Sequence, residues 1–482
     1  MATQRINFGE WMPDQAGLTG ALMDAKNVVS QAVGYGPLPT AANFSVAADQ
    51  NLTTLVAGKT PTDATKLFAA GSTKIFDVSG VGALTNVSKA GGYTPNGNND
   101  RFRFTQFGNV IIGTNNNNPM QAYTLGTSTA FADLAAGAPV CKFLTVVRDF
   151  VVTAFTTEST VVYPNRVRWS GINDETTWAT SQVTQADFQD IPDGGQIVGI
   201  RGGEFGLVFL EKGIHRMSYI GTPFIFQFDN ISRGKGCIAA GSIAQTQGMS
   251  FFLSDDGFYS CDGQSVIPIG SEKVDRWFFT NADESAFDTM SAAIDPVRKL
   301  VIWNFKNLFA QRQLIIYNFK TQKWTYGDAG TDYISDASTA ATSLEGLDSI
   351  STSIDALTVS LDSILYMGGK YFLGGTSGAY VVTYNGAPAV GEIVTGDFAP
   401  GARSVVTLAR PQIDNGSANV SVASRVLLNQ DITFSTPVAA DSENRVSLRS
   451  NGNYHRFKVT PTGANWSTAL ALDVDVSGQG GR

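Results

Sequence analysis

From Lys142 to Trp178 the chain alternates apolar and polar residues twice: a strand from Phe143 to Phe155, a polar turn, then a strand from Val161 to Trp169 that stops at Ser170-Gly171. Alternation with period two, rich in Val, Phe and Thr, predicts an antiparallel hairpin with one half-buried face. The outline returns at Phe102–Leu125, Ile197–Ile220, Ile243–Ile269, Met290–Tyr326 and Ser363–Asn385. One apolar residue from each repeat, Ile111, Val151, Val208, Phe252, Val301 and Phe372, gives intervals of 40, 57, 44, 49 and 71 residues. A degenerate repeat of about 40–50 residues predicts an all-β chain folded as a β-propeller, one four-stranded blade per repeat. Six or seven blades fit the count.

Composition narrows what such a propeller does. Only 16% of residues are charged while 50 are glycine, which suits closely packed sheets, tight turns and large subunit interfaces. The sequence pI near 4.9 and the lack of a Lys/Arg cluster argue against tight binding through phosphate neutralisation. Cys141, Cys237 and Cys261 have no metal or redox spacing and are expected as buried free thiols. His215 and His455, each beside an Arg, lack a partner cluster and are expected as strand histidines with ordinary hydrogen bonds. No zinc spacing, P-loop or G-x-S-x-G elbow is present, so no cofactor, metal site or catalytic residue is expected. Ser254-Asp255-Asp256-Gly257 approaches a sialidase-type Asp box but lacks its spacing and its Trp, and predicts a hairpin turn instead. The N-terminus has no basic and apolar leader, and no run is long enough for a membrane span, so synthesis in a cytoplasm is expected.

Three regions follow from the punctuation. Residues 1–43 carry Gly9, Pro13, Gly17, Gly34, Pro37 and Pro39 and predict an extended arm with one short helix near Gly20–Ser30. Phe8, Trp11 and Tyr35 are candidate anchors, docking the arm on a neighbouring subunit or adaptor, or equally on its own domain. Residues 44–387 hold the propeller, and Phe44–Val87 supplies either its first blade or strands that close the ring. Residues 388–482, with alternating runs at Ser404–Pro411, Ala418–Leu428, Arg445–Leu448, Tyr454–Pro461 and Ala469–Val476, predict a small β-sandwich-like domain.

Two segments concentrate acid without a single Lys or Arg. Asn173–Gln196 contains Asp174, Glu175, Asp187, Asp190 and Asp193; Asp328–Ser363 contains Asp328, Asp332, Asp336, Glu345, Asp348, Asp355 and Asp362. These twelve acids exceed the chain's net charge of −8, so the remainder is positive. The second segment also spaces Leu344, Leu347, Ile350, Ile354, Leu357 and Leu361 by three and four, as an inserted amphipathic helix would, or else forms a Ser/Thr-rich loop. Acidic walls around a wide pore repel phosphates and let a duplex slide without adhering.

Several motifs, in order, carry a resemblance. They are Pro13-Asp14, Ala25-x-Asn27-Val28 and Gly34-Tyr35 in the arm, then Phe104–Phe107-Gly108-Asn109. Asn165-Arg166-Val167-Arg168-Trp169-Ser170-Gly171 with Asp174 and Trp178, Asp255-Asp256-Gly257-Phe258-Tyr259, Asn451–Phe457, Trp466 and Asp473-Val474-Asp475 follow. Over nearly its whole length the chain resembles the tail nozzle (tail tubular or hub) proteins of short-tailed bacteriophages; Asn453 departs from the pattern, where an Arg is expected. The resemblance implies a virion protein without enzymatic activity, in a ring of six copies below the portal and adaptor, retaining packaged double-stranded DNA and conducting it during ejection. Implied partners are other copies, the tail adaptor, tail fibres or spikes, and DNA in transient non-specific contact. The acids Asp174, Glu175, Asp187, Asp190 and Asp193, or Asp328, Asp332, Asp336, Asp348, Asp355 and Asp362, are then candidate channel-wall charges. The alternative is a propeller that binds host glycans or a receptor. A propeller glycosidase is a third reading and would need a carboxylate pair in a cleft.

Overall fold

The computed structural model describes residues 2–60, 65–78, 83–97, 101–246, 248–338, 353 and 371–478. Among them, six four-stranded antiparallel sheets, and four antiparallel strands that begin a larger sheet, make seven blades that follow one another along the chain. Blade 1 spans Leu52–Asn86, blade 2 Arg103–Asp133, blade 3 Val140–Asp190, blade 4 Ile197–Arg233, blade 5 Ala244–Pro268 and blade 6 Ser291–Asp328. Blade 7 takes three strands from Tyr333–Thr383 and its outermost strand from the far end of the chain, Ala42–Asn43, which pairs with Val382 and Thr383. The chain is therefore a seven-bladed β-propeller, and the strand that completes its last blade precedes the first.

The six repeat residues Ile111, Val151, Val208, Phe252, Val301 and Phe372 all lie on second strands, the strand flanked on both sides and hence the most continuously apolar. The predicted strand from Phe143 to Phe155 is instead two strands, Val140–Val147 and Phe150–Glu158. Arg148, with φ of +49°, turns the chain there, and the polar Arg148-Asp149 pair occupies the hairpin tip.

First strands of neighbouring blades meet around the axis, and blade 7 meets blade 1 to close the ring. Polar latches cross the junctions. Thr54 Oγ1 donates to the Phe102 carbonyl at 2.9 Å. Ser291 Oγ accepts from the Ile334 amide at 2.9 Å, and Ser335 Oγ donates to the Leu55 carbonyl at 3.3 Å. Each satisfies a buried backbone group that a sheet edge would otherwise leave open.

The arm does not form the helix expected at Gly20–Ser30. That stretch holds two short strands, β2 (Asp24–Lys26) and β3 (Val28–Ser30), flanked by β1 (Ala2–Asn7) and β4 (Tyr35–Pro37). Ala25 and Val28 are fully buried, three apart, but Asn27 between them sits at φ +55°, which no helix permits. β1 pairs along Thr468–Gly478, β3 pairs with β4, and β4 also meets that last strand. β2 lies between the outermost strand of blade 6, Lys323–Asp328, and the strand Glu392–Val394. Blade 6 and one sheet of the C-terminal domain thereby become a single nine-stranded sheet. The other sheet contains Ser404–Asp414, Val446–Gly452 and Thr468–Gly478. Val406, Val420, Val446, Phe457, Leu472 and Val474 fill the space between the two, completing a β-sandwich.

Candidate functional site

The motif residues of the arm and of the sandwich come together beside blade 6. Asp14 accepts from the amides of Arg276 and Trp277, both at 2.9 Å, capping the only α-helix among the described residues, α1 (Asp275–Asn281). Trp11 is fully buried, edge-on to Trp277 at 4.9 Å and stacked on Tyr326 at 5.0 Å. Tyr35 is equally buried and donates its hydroxyl to the Gly9 carbonyl at 2.6 Å, and Phe8 is 4% exposed. These three anchors are thus spent on their own chain, and the expectation that they dock on a neighbouring subunit or adaptor is corrected: their apolar area is already covered by blade 6 and the sandwich.

Asn27 is the polar pin of this joint. Its side-chain amide donates to Asp328 and to the Val390 carbonyl, both at 3.1 Å, while its oxygen accepts from the Asp328 amide at 2.8 Å. Lys26 pairs with Asp328 at 3.0 Å. Nearby, Tyr326 hydrogen-bonds the Asp24 carboxyl, which burial nevertheless pushes up to about 6. In the sandwich the Asp397 side chain, 2% exposed, accepts from both Arg425 and Arg456. His455, with no exposed surface, lies between Ser404 Oγ at 2.9 Å and Ser450 Oγ at 3.1 Å. Arg5 forks onto Asp473 at 2.7 and 3.0 Å, tying β1 to the last strand. Asn453 donates to the Val426 carbonyl at 2.9 Å, a neutral contact where the resemblance expects an Arg.

The second concentration of motif residues is blade 3. Arg166 lies between the rings of Tyr163 and Phe188, 3.7 and 4.0 Å from their centroids. It forks onto Asp190 at 2.7 and 3.0 Å. Arg168 pairs with Glu158 and donates to the Trp178 carbonyl at 2.6 Å. Asp174 accepts from Thr176 and Thr177, which holds its carboxyl below the usual range. Asp187 and Asp190 lie on the outermost strand of the blade, so Asn173–Gln196 decorates the propeller's outer flank. Asp193 stands 3.6 Å from His215 with 59% of its side chain exposed. Burial lowers the His215 pKa, with Asp193 opposing.

The other acids disperse. Asp328 belongs to the joint, and Asp332 accepts from the Gly378 amide at 2.8 Å in a turn of blade 7. Asp336 lies on the first strand of blade 7, with its side chain on the solvent-accessible side of that strand. Asp348, Asp355 and Asp362, with the proposed amphipathic stretch, fall outside the described residues. Blades 3 and 6 are three steps apart in a ring of seven, about 150° around the axis. One flank of the propeller can present the first acidic segment to a wall, but not Asp328 with it.

Cys141, Cys237 and Cys261 are buried free thiols, and burial pushes Cys141 up to about 12 and Cys237 up to about 11, out of the range of a reactive thiolate. Asp255 and Asp256 form the tip of the hairpin between Met249–Ser254 and Gly257–Cys261, both paired with Lys235. No described helix is long and apolar enough to cross a membrane.

Fold and joint together define a class: an all-β chain built as a seven-bladed propeller continuous with a β-sandwich. No family model matches the chain, and no curated protein matches it. By structure it is similar to the WD40 domain of Neurospora crassa Pan2, with TM-score 0.38 and 8% identity over 72% of this chain and 96% of that one. It is also similar to an ancestral GH74 enzyme, with TM-score 0.34 and 10% identity over 71% and 55% of the two chains. A third similarity is to the Aleuria aurantia lectin AAL, with TM-score 0.27 and 9% identity over 58% and 96%. Likenesses this distant say nothing about activity.

Proposed function

We propose that the chain is a non-enzymatic wall subunit of a short-tailed phage tail, of the nozzle type, assembled as a closed ring that retains packaged double-stranded DNA and conducts it on ejection. The observation that carries this reading is the nine-stranded sheet running from blade 6 through β2 into the sandwich. A sheet that crosses between two parts of a chain resists hinge motion, because bending there breaks a row of hydrogen bonds at once. A wall under pressure from packaged DNA needs that stiffness. The motifs shared with nozzle proteins serve the same end, since those of the arm and of the sandwich meet beside blade 6.

The acidic flank of blade 3 suits the inner wall, where like charge keeps phosphates from adhering. Closed rings use head-to-tail contacts between different faces of each subunit, so one flank is free to face the lumen. Exposed aromatics favour the glycan alternative little, because they are scattered. Phe188 lies on the blade 3 flank, Phe224 at a blade 4 hairpin and Phe309 at a blade 6 hairpin.

Mass measurement of the purified chain, alone and with its tail adaptor, tests the reading. A closed oligomer of about six copies forming on the adaptor is the expected result. A chain that stays monomeric with the adaptor, yet binds glycans on an array, would replace this reading with the alternative.

A further inference from the structure

One carboxyl of the joint has no base to hold it. Asp275 opens α1 where the arm, blade 5 and the turn after blade 5 come together. Among the described residues its carboxyl accepts one hydrogen bond, from the Phe258 amide at 3.1 Å, and enters no ion pair. Glycines close around it: a Cβ at Gly257 or at Gly270 would collide with its oxygens.

The charges that face it are mostly of its own sign. The arm brings Asp14, its side chain 7% exposed and 3.7 Å from Arg276, and Glu10, paired with Lys273 at 2.7 Å. Blade 5 brings Asp255 and Asp256, both paired with Lys235, and Tyr259, which donates to Asp256 at 3.1 Å. The turn before α1 adds Glu272, and Arg276 is the one base lining the open cleft of about 400 Å³ beside Asp275. Each of the three bases is thus engaged by another acid. Burial pushes the Asp275 carboxyl up to about 7; the Phe258 amide opposes the rise, and Asp14 and Asp256 add to it. Over this carboxyl the arm closes a turn. Asp14 accepts from the Arg276 and Trp277 amides, its own amide donates to the Lys273 carbonyl at 3.2 Å, and Gln15 Nε2 donates to the Glu272 carbonyl at 2.8 Å. A charge on Asp275 is therefore both desolvated and set beside Asp14, and lifting the turn relieves both costs.

We propose that Asp275 is a proton-operated latch of the arm: protonated, it lets the turn from Met12 to Gln15 lie closed on α1, and ionised, it loosens that turn while β1 and β2 stay paired. The folded value lies above the ordinary 3.8, so the closed turn is fully stabilised below about pH 4 and that stabilisation is lost as pH rises to about 7. The latch stands apart from the role proposed above, since it needs no ring, adaptor or DNA.

Amide hydrogen exchange of the full chain as a function of pH, corrected for the intrinsic rate, tests the latch. Protection of the Asp14, Arg276 and Trp277 amides should fall by about tenfold from pH 6 to pH 8 and then level off, with no such fall along β1. Asp275→Asn, which keeps the shape of the side chain and cannot ionise, should remove the fall, and Asp24→Asn should leave it in place. Protection that stays level in the wild-type chain, a fall that survives Asp275→Asn, or one that Asp24→Asn abolishes would overturn the proposal. Should Asp275→Asn not fold, the wild-type chain decides: a fall confined to residues 12–15 and 273–277 supports the latch, and a fall shared by β1 refutes it.

Discussion

Blade 3 and blade 6 each carry an acid-rich segment on or beyond the outermost strand, and the chain uses the two in opposite ways. At blade 6 the acid is consumed. Asp328 is bound by Lys26 and Asn27 from the arm, and its strand continues through β2 into the sandwich. At blade 3 Asp190 is neutralised by Arg166 and Asp174 caps its own turn. Asp193 is left largely exposed beside His215, and Glu175 and Asp187 enter no ion pair among the described residues. One flank is a joint, the other a charged surface. Acid-rich composition alone therefore does not tell a wall from a weld, and what decides is whether a neighbouring strand supplies donors.

Mutations that separate stability from surface charge sharpen this contrast. Asp397→Ala should have the largest effect, about 3–5 kcal/mol in urea unfolding, because it leaves two arginines buried without their acid. Trp11→Ala should cost a similar amount, about 3–5 kcal/mol, by opening a cavity between Trp277 and Tyr326. If deleting this side chain changes the unfolding midpoint little, the arm is not a structural part of the joint. Asn27→Ala should cost about 2 kcal/mol, as it removes three hydrogen bonds and places a residue with a Cβ but no local polar group at positive φ.

Asp24 predicts a pH dependence whose sign is fixed. Its folded pKa, about 6, lies above the ordinary 3.8, so the folded state holds this proton more tightly than the unfolded one does. The stability tied to it is fully present below pH 4 and is lost as pH rises to about 6. Asp24→Asn should therefore raise stability by about 1–2 kcal/mol at pH 8 and leave it unchanged near pH 3.5. Paired denaturation curves at the two pH values measure it, and an equal effect at both would show that Asp24 is not held at a cost. The smallest effects belong to blade 3. Glu175→Gln, Asp187→Asn and Asp193→Asn should each shift stability by no more than about 0.5 kcal/mol. Combined, they should slow DNA release from assembled particles; an unchanged release rate would remove the wall role from this flank.

The propeller was legible in the sequence because second strands are buried on both faces and repeat a dense apolar signal. Ile111, Val151, Val208, Phe252, Val301 and Phe372 mark six of the seven. The ring's closing strand was not legible: Ala42–Asn43 is two residues long and shows no alternation. β2, β3 and β4 hide for the same reason, since three residues carry no period, and spacing of three between Ala25 and Val28 imitates a helix. The aromatic anchors Phe8, Trp11 and Tyr35 were visible as anchors, but their partner was not. Composition records that a surface is apolar, not which surface covers it.

An electron-microscopy map of the chain assembled on its tail adaptor tests the account most directly. The account predicts a closed ring in which β1 to β4 stay on their own subunit and Asp187 and Asp193 of blade 3 face the lumen. A ring with blade 3 on its outer surface, or with β2 inserted into a neighbouring subunit's sheet, would contradict it.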